Sequence, residues 1–133
     1  MDMTVRFPGG VGVVTDYQGS TIHTDQPPGH GGVNSAPSPY DLFIASLRIC
    51  AGFCSLRFCQ QRRLPSADME LRAAIDLNPE SRRLNRVTID LHLPEGFPAR
   101  YRTAIVSATD QSSIKRVLLD PPDIVVTTTE SRP

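Results

Sequence analysis

The sequence lacks net charge and an unbroken apolar run, and each absence excludes a class of partner. Lys plus Arg and Asp plus Glu both number 14, so no overall charge draws the chain to nucleic acid or anionic lipid. The most apolar stretch, residues 42–58, is interrupted by Arg48 and flanked by charges, which argues against a membrane span. Residues 1–30 show no basic start followed by an apolar segment and a cleavage site. We therefore expect a cytoplasmic protein without a secretory signal.

Cysteine is scarce as well, and its odd number is informative. Three cysteines in a short chain without a signal indicate free thiols in a reducing compartment rather than a disulfide framework. The three histidines have no metal-ligand spacing among themselves or with the cysteines, and no phosphate-binding glycine loop is present. We accordingly expect neither a metal nor another cofactor.

The hydrophobic pattern predicts one α+β domain over residues 1–133, with mixed or antiparallel sheet packed on a long central helix. Apolar residues alternate with polar ones where strands are expected, and a period near 3.6 marks the helices. The predicted order is three strands (residues 3–7, 11–17 and 21–24), a long helix (38–62), two strands (69–77 and 87–93), two short helices (98–108 and 112–119) and a last strand (124–129).

The long helix has clear start signals and an unusual surface. Ser38 suits the N-cap, Pro39 the first helical position, and Asp41 completes an S-x-x-D box. From residue 42 to residue 58 the helix is apolar on nearly every side, and such a helix belongs in a core or a subunit interface. We expect a second subunit to cover part of it.

All three cysteines lie on this helix, and two interpretations of them stay open. Cys50 and Cys54 are four residues apart and share a face, whereas Cys59 points roughly to the opposite side. Such thiols are either small apolar core residues or a reactive site in a dry pocket. Arg57 is two helical turns from Cys50, so activation of Cys50 would require a cation from the N-terminal hairpin or a partner chain.

Two segments resemble the signatures of the OsmC/Ohr family. The first, residues 31–50, reads G-G-V-N-S-A-P-S-P-Y-D-L-F-I-A-S-L-R-I-C, and the second, residues 112–123, reads S-S-I-K-R-V-L-L-D-P-P-D. The resemblance implies an OsmC-like fold in an intertwined homodimer whose long helices share a core. It also implies a bacterial, peroxiredoxin-like role in the oxidative stress response, with Cys50 reducing organic hydroperoxides at the expense of a thiol reductant.

The sequence departs from the family pattern at three positions. Ser112 replaces the resolving cysteine, Tyr40 stands at the position of the glutamate, and Arg6 is the only arginine in the N-terminal hairpin. These departures predict weak or atypical, one-cysteine peroxidase activity. They equally suit an alternative, a non-catalytic dimer that binds a small apolar ligand between its subunits.

The glycine-rich loop over residues 25–34 precedes the long helix. Its glycines allow close backbone approach and motion. We expect this loop, including His30 and Gly31, to border the pocket that contains Cys50.

Overall fold

The computed structural model describes residues 2–130, which form two compact units divided between Ser46 and Leu47. Each unit contains antiparallel sheet and helix, which confirms the predicted α+β class. The bounds are β1 (Thr4–Gly9), β2 (Gly12–Tyr17), β3 (Ser20–Thr24), α1 (Pro39–Arg62), β4 (Glu70–Leu77), β5 (Leu84–His92), α2 (Arg102–Thr109) and α3 (Ser113–Leu119).

The first unit is a three-stranded meander in the order β1-β2-β3. Both strand pairs are antiparallel, and β2 lies in the middle because each strand pairs with its neighbour in sequence. Val14 of β2 is buried, while Gln18 and Gly19 take positive φ angles of 47° and 80° in the turn to β3. Glycine adopts this left-handed backbone without steric cost, so the pair suits a tight hairpin turn.

A buried carboxylate organises the loop that follows β3. The Asp25 carboxylate accepts hydrogen bonds from the backbone N–H groups of Val33 (3.1 Å) and Ser35 (3.0 Å) and from the Ser35 hydroxyl (2.8 Å). The backbone bonds, with that from Ser35 the largest contribution, hold the pKa of Asp25 far below its usual range. Gly32 is obligatory in this loop, since a Cβ there would lie 1.8 Å from the carbonyl oxygen of Gln26.

The start of α1 has the predicted capping box. The Ser38 hydroxyl accepts from the N–H of Asp41 (3.1 Å), and the Asp41 carboxylate accepts from the N–H of Ser38 (2.9 Å). Two backbone donors that the helix leaves unpaired are thereby satisfied. The helix then continues into the second unit and ends at Arg62, as the sequence predicts.

The second unit packs the end of α1 with β5, α2 and the segment between them. Its buried core comprises Phe58, Cys59, Phe97 and Ile105, bordered by partly buried Leu64, Met69, Leu91, Leu93, Tyr101 and Ala108. Beside this core, the hydroxyl oxygens of Ser55 and Thr109 are 2.7 Å apart, and both side chains are buried. Each also lies within bonding distance of a helical carbonyl one turn earlier, so neither hydroxyl lacks a partner.

The predicted last strand does not form, and that prediction is wrong. Residues 121–130 have no regular secondary structure, and Ile124, Val125 and Val126 are 88%, 79% and 89% exposed. Their β-branched side chains favour extended backbone, but a strand also needs a neighbour to accept its hydrogen bonds. Within residues 2–130 no strand pairs with this segment.

One side of α1 in the second unit is apolar and uncovered. Ile49, Phe53 and Leu56 are 71%, 61% and 37% exposed, and their spacing of four and three residues places them on one helix face. By length and composition alone α1 could cross a membrane, although a core helix of a soluble protein has the same properties. Arg48 and Arg57 are both exposed on the helix.

Candidate functional site

Cys50 lies where α1 meets the start of α3. Its thiol is free and partly exposed, and its sulfur is 3.6 Å from the hydroxyl oxygen of Ser113. The neighbouring Ser112 is the N-cap of α3 and is only 4% exposed, with its hydroxyl oxygen accepting from the N–H of Lys115 (3.5 Å). A hydroxyl that accepts through a lone pair still has its proton free to donate.

Hydrogen bonds lower the pKa of Cys50 from 9.0 to about 7. The Ser112 hydroxyl makes the largest contribution, followed by the backbone N–H of Ile114, and Ser113 adds smaller contributions from its hydroxyl and its N–H. Burial opposes them, but the donors prevail because a thiolate accepts such bonds more strongly than a thiol. Near neutral pH a large share of Cys50 is therefore in its nucleophilic form.

The groups that lower the pKa of Cys50 within this chain are hydroxyl and amide donors, whereas the sequence predicted a cation from the hairpin or a partner chain. Sequence reasoning considered only arginines, whereas hydroxyl and amide donors at residues 112–114 lower the pKa of this thiol. Arg6, the hairpin arginine, binds the carboxylate of Asp16 through two nitrogens (3.1 and 2.7 Å). Arg57 donates to the side chain of Gln60 (3.2 Å).

The other two thiols have the opposite electrostatic character. Burial is the largest contribution that raises the pKa of Cys54, and the adjacent Cys50 raises it further. Arg116 of α3 makes the smallest contribution, which lowers this pKa. Burial also raises the pKa of Cys59, which is completely inaccessible in the core. Both thiols stay protonated at neutral pH, so Cys50 is the candidate nucleophile of the three.

A cavity of about 810 Å³ in the second unit ends at Ser112. Its walls are mainly apolar side chains from α1, β5, α2 and α3, including Leu47, Val87, Leu91 and Leu118. The ion pair between Asp110 and Lys115 provides charged groups on the same wall. Ser112 therefore adjoins the residue that contacts Cys50 and also lines a space that can hold a small apolar molecule.

A smaller cavity of about 530 Å³ lies in the first unit among glycines of the hairpin and loop. Its polar group, the Asp25 carboxylate, is fully engaged by the loop backbone, and its histidine, His23, is exposed. It provides no nucleophile. Among residues 2–130 no three His, Cys, Asp or Glu side chains cluster closely enough to hold a metal ion.

Ser112 and Ser113 are the candidate site residues that the sequence argument missed. Ser112 entered that argument only as an absent cysteine. Two signals in the sequence could have identified Ser112 as a site residue. It begins a predicted helix, and family resemblance pairs position 112 with Cys50. A serine in that place, unable to form a disulfide, still has a proton to donate.

The architecture is α+β, with a partly exposed free thiol where two helices meet, and comparison with known proteins supplies the family. The model of the OsmC-like protein family matches residues 29–127, so the chain belongs to the OsmC-like family, a family of redox and peroxide-resistance proteins. No curated protein sequence matches the chain.

Two solved structures illustrate the shared fold. An osmotic stress and detoxification response protein of Psychrobacter arcticus superposes with a TM-score of 0.73 at 17% identity, covering 86% of this chain and 85% of that one. The organic hydroperoxide resistance protein OsmC of Legionella pneumophila gives 0.58 at 18% identity and 89% coverage of both chains. At these identities the likeness establishes the fold alone.

The relation between the glycine-rich loop and Cys50 stays a prediction, since the loop and the thiol belong to different units. Tyr40, at the family's glutamate position, is 51% exposed and packs its ring 6.0 Å from that of Phe43. It carries no carboxylate, so the family's glutamate has no counterpart at this position.

Proposed function

We propose that the protein reduces organic hydroperoxides with Cys50 as the nucleophile. The observation that carries this proposal is the thiol itself, partly exposed and held among hydroxyl and amide donors that lower its pKa to about 7. Membership of a peroxide-resistance family supplies the class of substrate. A thiolate, not a thiol, attacks the O–O bond, so the lowered pKa matters for rate at neutral pH.

The reaction is a single displacement at oxygen. The thiolate sulfur of Cys50 attacks the terminal oxygen of the hydroperoxide, and the S–O bond forms as the O–O bond breaks. The alkoxide that leaves takes a proton from water and departs as an alcohol. Sulfur is thereby oxidised to a sulfenic acid, and the peroxide is reduced.

Turnover then requires a thiol from outside the chain. Ser112 cannot form a disulfide, and Cys54, one turn along the same helix, has poor geometry for a bond to Cys50 without local unwinding. A small thiol displaces water from the sulfenic acid and leaves a mixed disulfide. A second small thiol releases Cys50 and departs as the low-molecular-weight disulfide. We therefore expect slow, one-cysteine turnover in the cytoplasm, where such thiols are abundant.

A hydroperoxide-consumption assay with a dithiol reductant tests this function. Wild-type protein should consume an alkyl hydroperoxide, Cys50→Ser should reduce consumption to the level without protein, and Cys54→Ser should retain most activity. The Cys54 variant is a matched control because it removes a neighbouring thiol whose pKa is raised. Equal activity of wild type and Cys50→Ser would refute the proposal.

We also propose that the working form is a homodimer, with the second copy covering the exposed face of α1. Ile49, Phe53 and Leu56 form a continuous apolar stripe on that face, and burial of such side chains contributes about 1.5–3 kcal/mol each. Light scattering should show a dimer at micromolar concentration, and Phe53→Glu should dissociate it. Arg57→Glu, on the same helix and already exposed, is the charge-change control. A wild-type monomer would contradict this proposal.

The apolar cavity favours a second candidate, the binding of a small apolar ligand without catalysis. Its volume of about 810 Å³ falls in the range of ordinary ligand sites. An apolar fluorescent probe distinguishes the two functions when it is combined with the assay. Probe binding that Val87→Arg abolishes, together with no hydroperoxide consumption, would favour the ligand-binding function.

A further inference from the structure

We infer that Ser112 and Ser113 are positioning residues that hold the Cys50 thiolate through their hydroxyl groups. Family resemblance places a disulfide-forming cysteine at position 112. In this chain, the serine at that position stabilises the thiolate instead. The inference deepens the proposed function and rests on it for its catalytic meaning. Its physical content, a hydroxyl-held thiolate, is independent of any reaction with peroxide.

Geometry places the Ser113 hydroxyl at the sulfur and the Ser112 hydroxyl in the same turn. The Ser113 oxygen is 3.6 Å from the Cys50 sulfur, a normal separation for an O–H group donating to sulfur. Ser112 precedes it at the turn into α3, and its side chain is buried and fixed there by the N–H of Lys115. That bond uses a lone pair of the Ser112 oxygen and leaves the hydroxyl proton for the thiolate.

The charged groups near Cys50 do not stabilise its thiolate, so the hydroxyl groups are the side-chain donors that do. The two cationic side chains of α3 do not contribute to the lowered pKa of Cys50. Lys115 forms an ion pair with Asp110, and Arg116 lowers the pKa of Cys54 instead. Cys54 is itself protonated and has no charge to offer. Among the described residues, the groups that favour the charged form of Cys50 are the hydroxyls of Ser112 and Ser113 and the adjacent N–H groups. The N–H groups belong to the backbone, so the serines are the side chains that tune the thiol.

The arrangement also explains how a chain without the second cysteine retains a usable thiol. A cysteine at position 112 would resolve the sulfenic acid, but a protonated thiol is a weak hydrogen-bond donor. A serine donates more strongly and cannot be oxidised to a disulfide. The exchange therefore favours formation of the thiolate and leaves resolution to external thiols.

The test measures the pH dependence of Cys50 alkylation by iodoacetamide, with peptide mass spectrometry reporting each cysteine separately. Wild-type Cys50 should show a midpoint near its lowered pKa of about 7. Ser113→Ala should raise the midpoint modestly, and Ser112→Ala should raise it more, by about one pH unit. Ser112→Thr restores the hydroxyl and should restore the wild-type midpoint.

Loss of the α3 cap could unfold Ser112→Ala, and Ser112→Asp avoids that difficulty. Aspartate keeps the cap acceptor for Lys115, removes the proton donor and adds a negative charge, so it should raise the Cys50 midpoint most of all. Ser107→Ala, in an exposed position on α2, is the control and should leave the midpoint unchanged.

A folded Ser112→Asp protein with the wild-type midpoint would overturn the inference. So would a wild-type midpoint near the ordinary 9.0. Because the measurement uses no peroxide, failure of the proposed function leaves the result standing, and failure of the inference leaves the hydroperoxide assay to judge the function alone.

Discussion

Cys50 and Cys59 occupy the same helix, yet they have opposite chemical character. The Cys50 sulfur lies 3.6 Å from the Ser113 hydroxyl oxygen and remains partly exposed, and hydrogen-bond donors at residues 112–114 lower its pKa to about 7. Cys59 is fully buried beside Phe97 and Ile105, and burial raises its pKa. The helix supplies the same backbone to both residues. The difference therefore comes from what the neighbouring element presents to each sulfur.

Two thiols within three turns of one apolar helix thus have pKa values shifted in opposite directions. Burial alone disfavours the thiolate, so a cysteine in a core behaves as a small apolar residue. A few donors from a neighbouring turn are enough to reverse that tendency. The two interpretations that the sequence leaves open therefore suit different residues: Cys59 is a buried core residue, and Cys50 stays the candidate for a reactive site.

The largest expected effect is a contrast in alkylation between the two sites. At pH 7.5 we expect iodoacetamide to modify Cys50 at least ~1000-fold faster than Cys59, because Cys59 must first be exposed by unfolding. Peptide mass spectrometry over time measures both rates in one sample. In concentrated denaturant the two rates should converge, which is the internal control. Comparable rates in the native protein would contradict the contrast.

A second prediction converts the Cys50 environment to the family type. Ser112→Cys should form a disulfide with Cys50 after mild peroxide treatment, since residue 112 adjoins Ser113, whose hydroxyl oxygen is 3.6 Å from that sulfur. Wild-type protein should instead give a Cys50 sulfenic acid that a dimedone-type reagent traps. Non-reducing peptide mapping distinguishes the two products.

Cys59 should remain a free thiol in both proteins, because it lies on the far side of the helix. Two results would count against this scheme. A quantitative Cys50–Cys54 disulfide in wild type would show that the helix unwinds easily. An unmodified Cys50 under excess peroxide would argue against its catalytic role.

Much of this contrast depends on information that periodicity does not contain. Alternation and capping signals predicted β1–β5 and all three helices, because those elements are specified by local side-chain pattern. The last strand, residues 124–129, failed because β-propensity is local whereas strand pairing is not. The candidate site likewise has a part that the sequence could predict and a part that depends on contacts between distant residues.

Resemblance to a family identified Cys50 and aligned position 112 with it. The donors at residues 112–114 are more than sixty positions from Cys50 in sequence, so their effect on its pKa depends on three-dimensional proximity. Sequence spacing within α1 could not show that contact. It could show only which arginines were near along the helix, and those are not the groups that act on the thiol.

The smallest expected effect is a change in the free energy of unfolding that leaves Cys50 unaffected. Thr109 is buried one helical turn after the core residue Ile105, to whose carbonyl its hydroxyl donates (2.7 Å), and its hydroxyl oxygen lies 2.7 Å from that of Ser55. Thr109→Val keeps the shape and removes the hydroxyl, while Ser55 can still donate to the Ala51 carbonyl (3.0 Å). We expect a loss of about 1 kcal/mol in the free energy of unfolding, a typical net value for one hydrogen bond.

Urea denaturation measures that loss, and the pH midpoint of Cys50 alkylation measures any effect on the reactive thiol. The midpoint should stay where it is in wild type, because Thr109 is not among the groups that shift the pKa of Cys50. Ser107→Ala, exposed on the same helix, should change neither quantity. A Thr109→Val protein whose Cys50 midpoint moved would mean that the two environments on α1 are coupled. The contrast between Cys50 and Cys59 would then describe one connected network rather than two local ones.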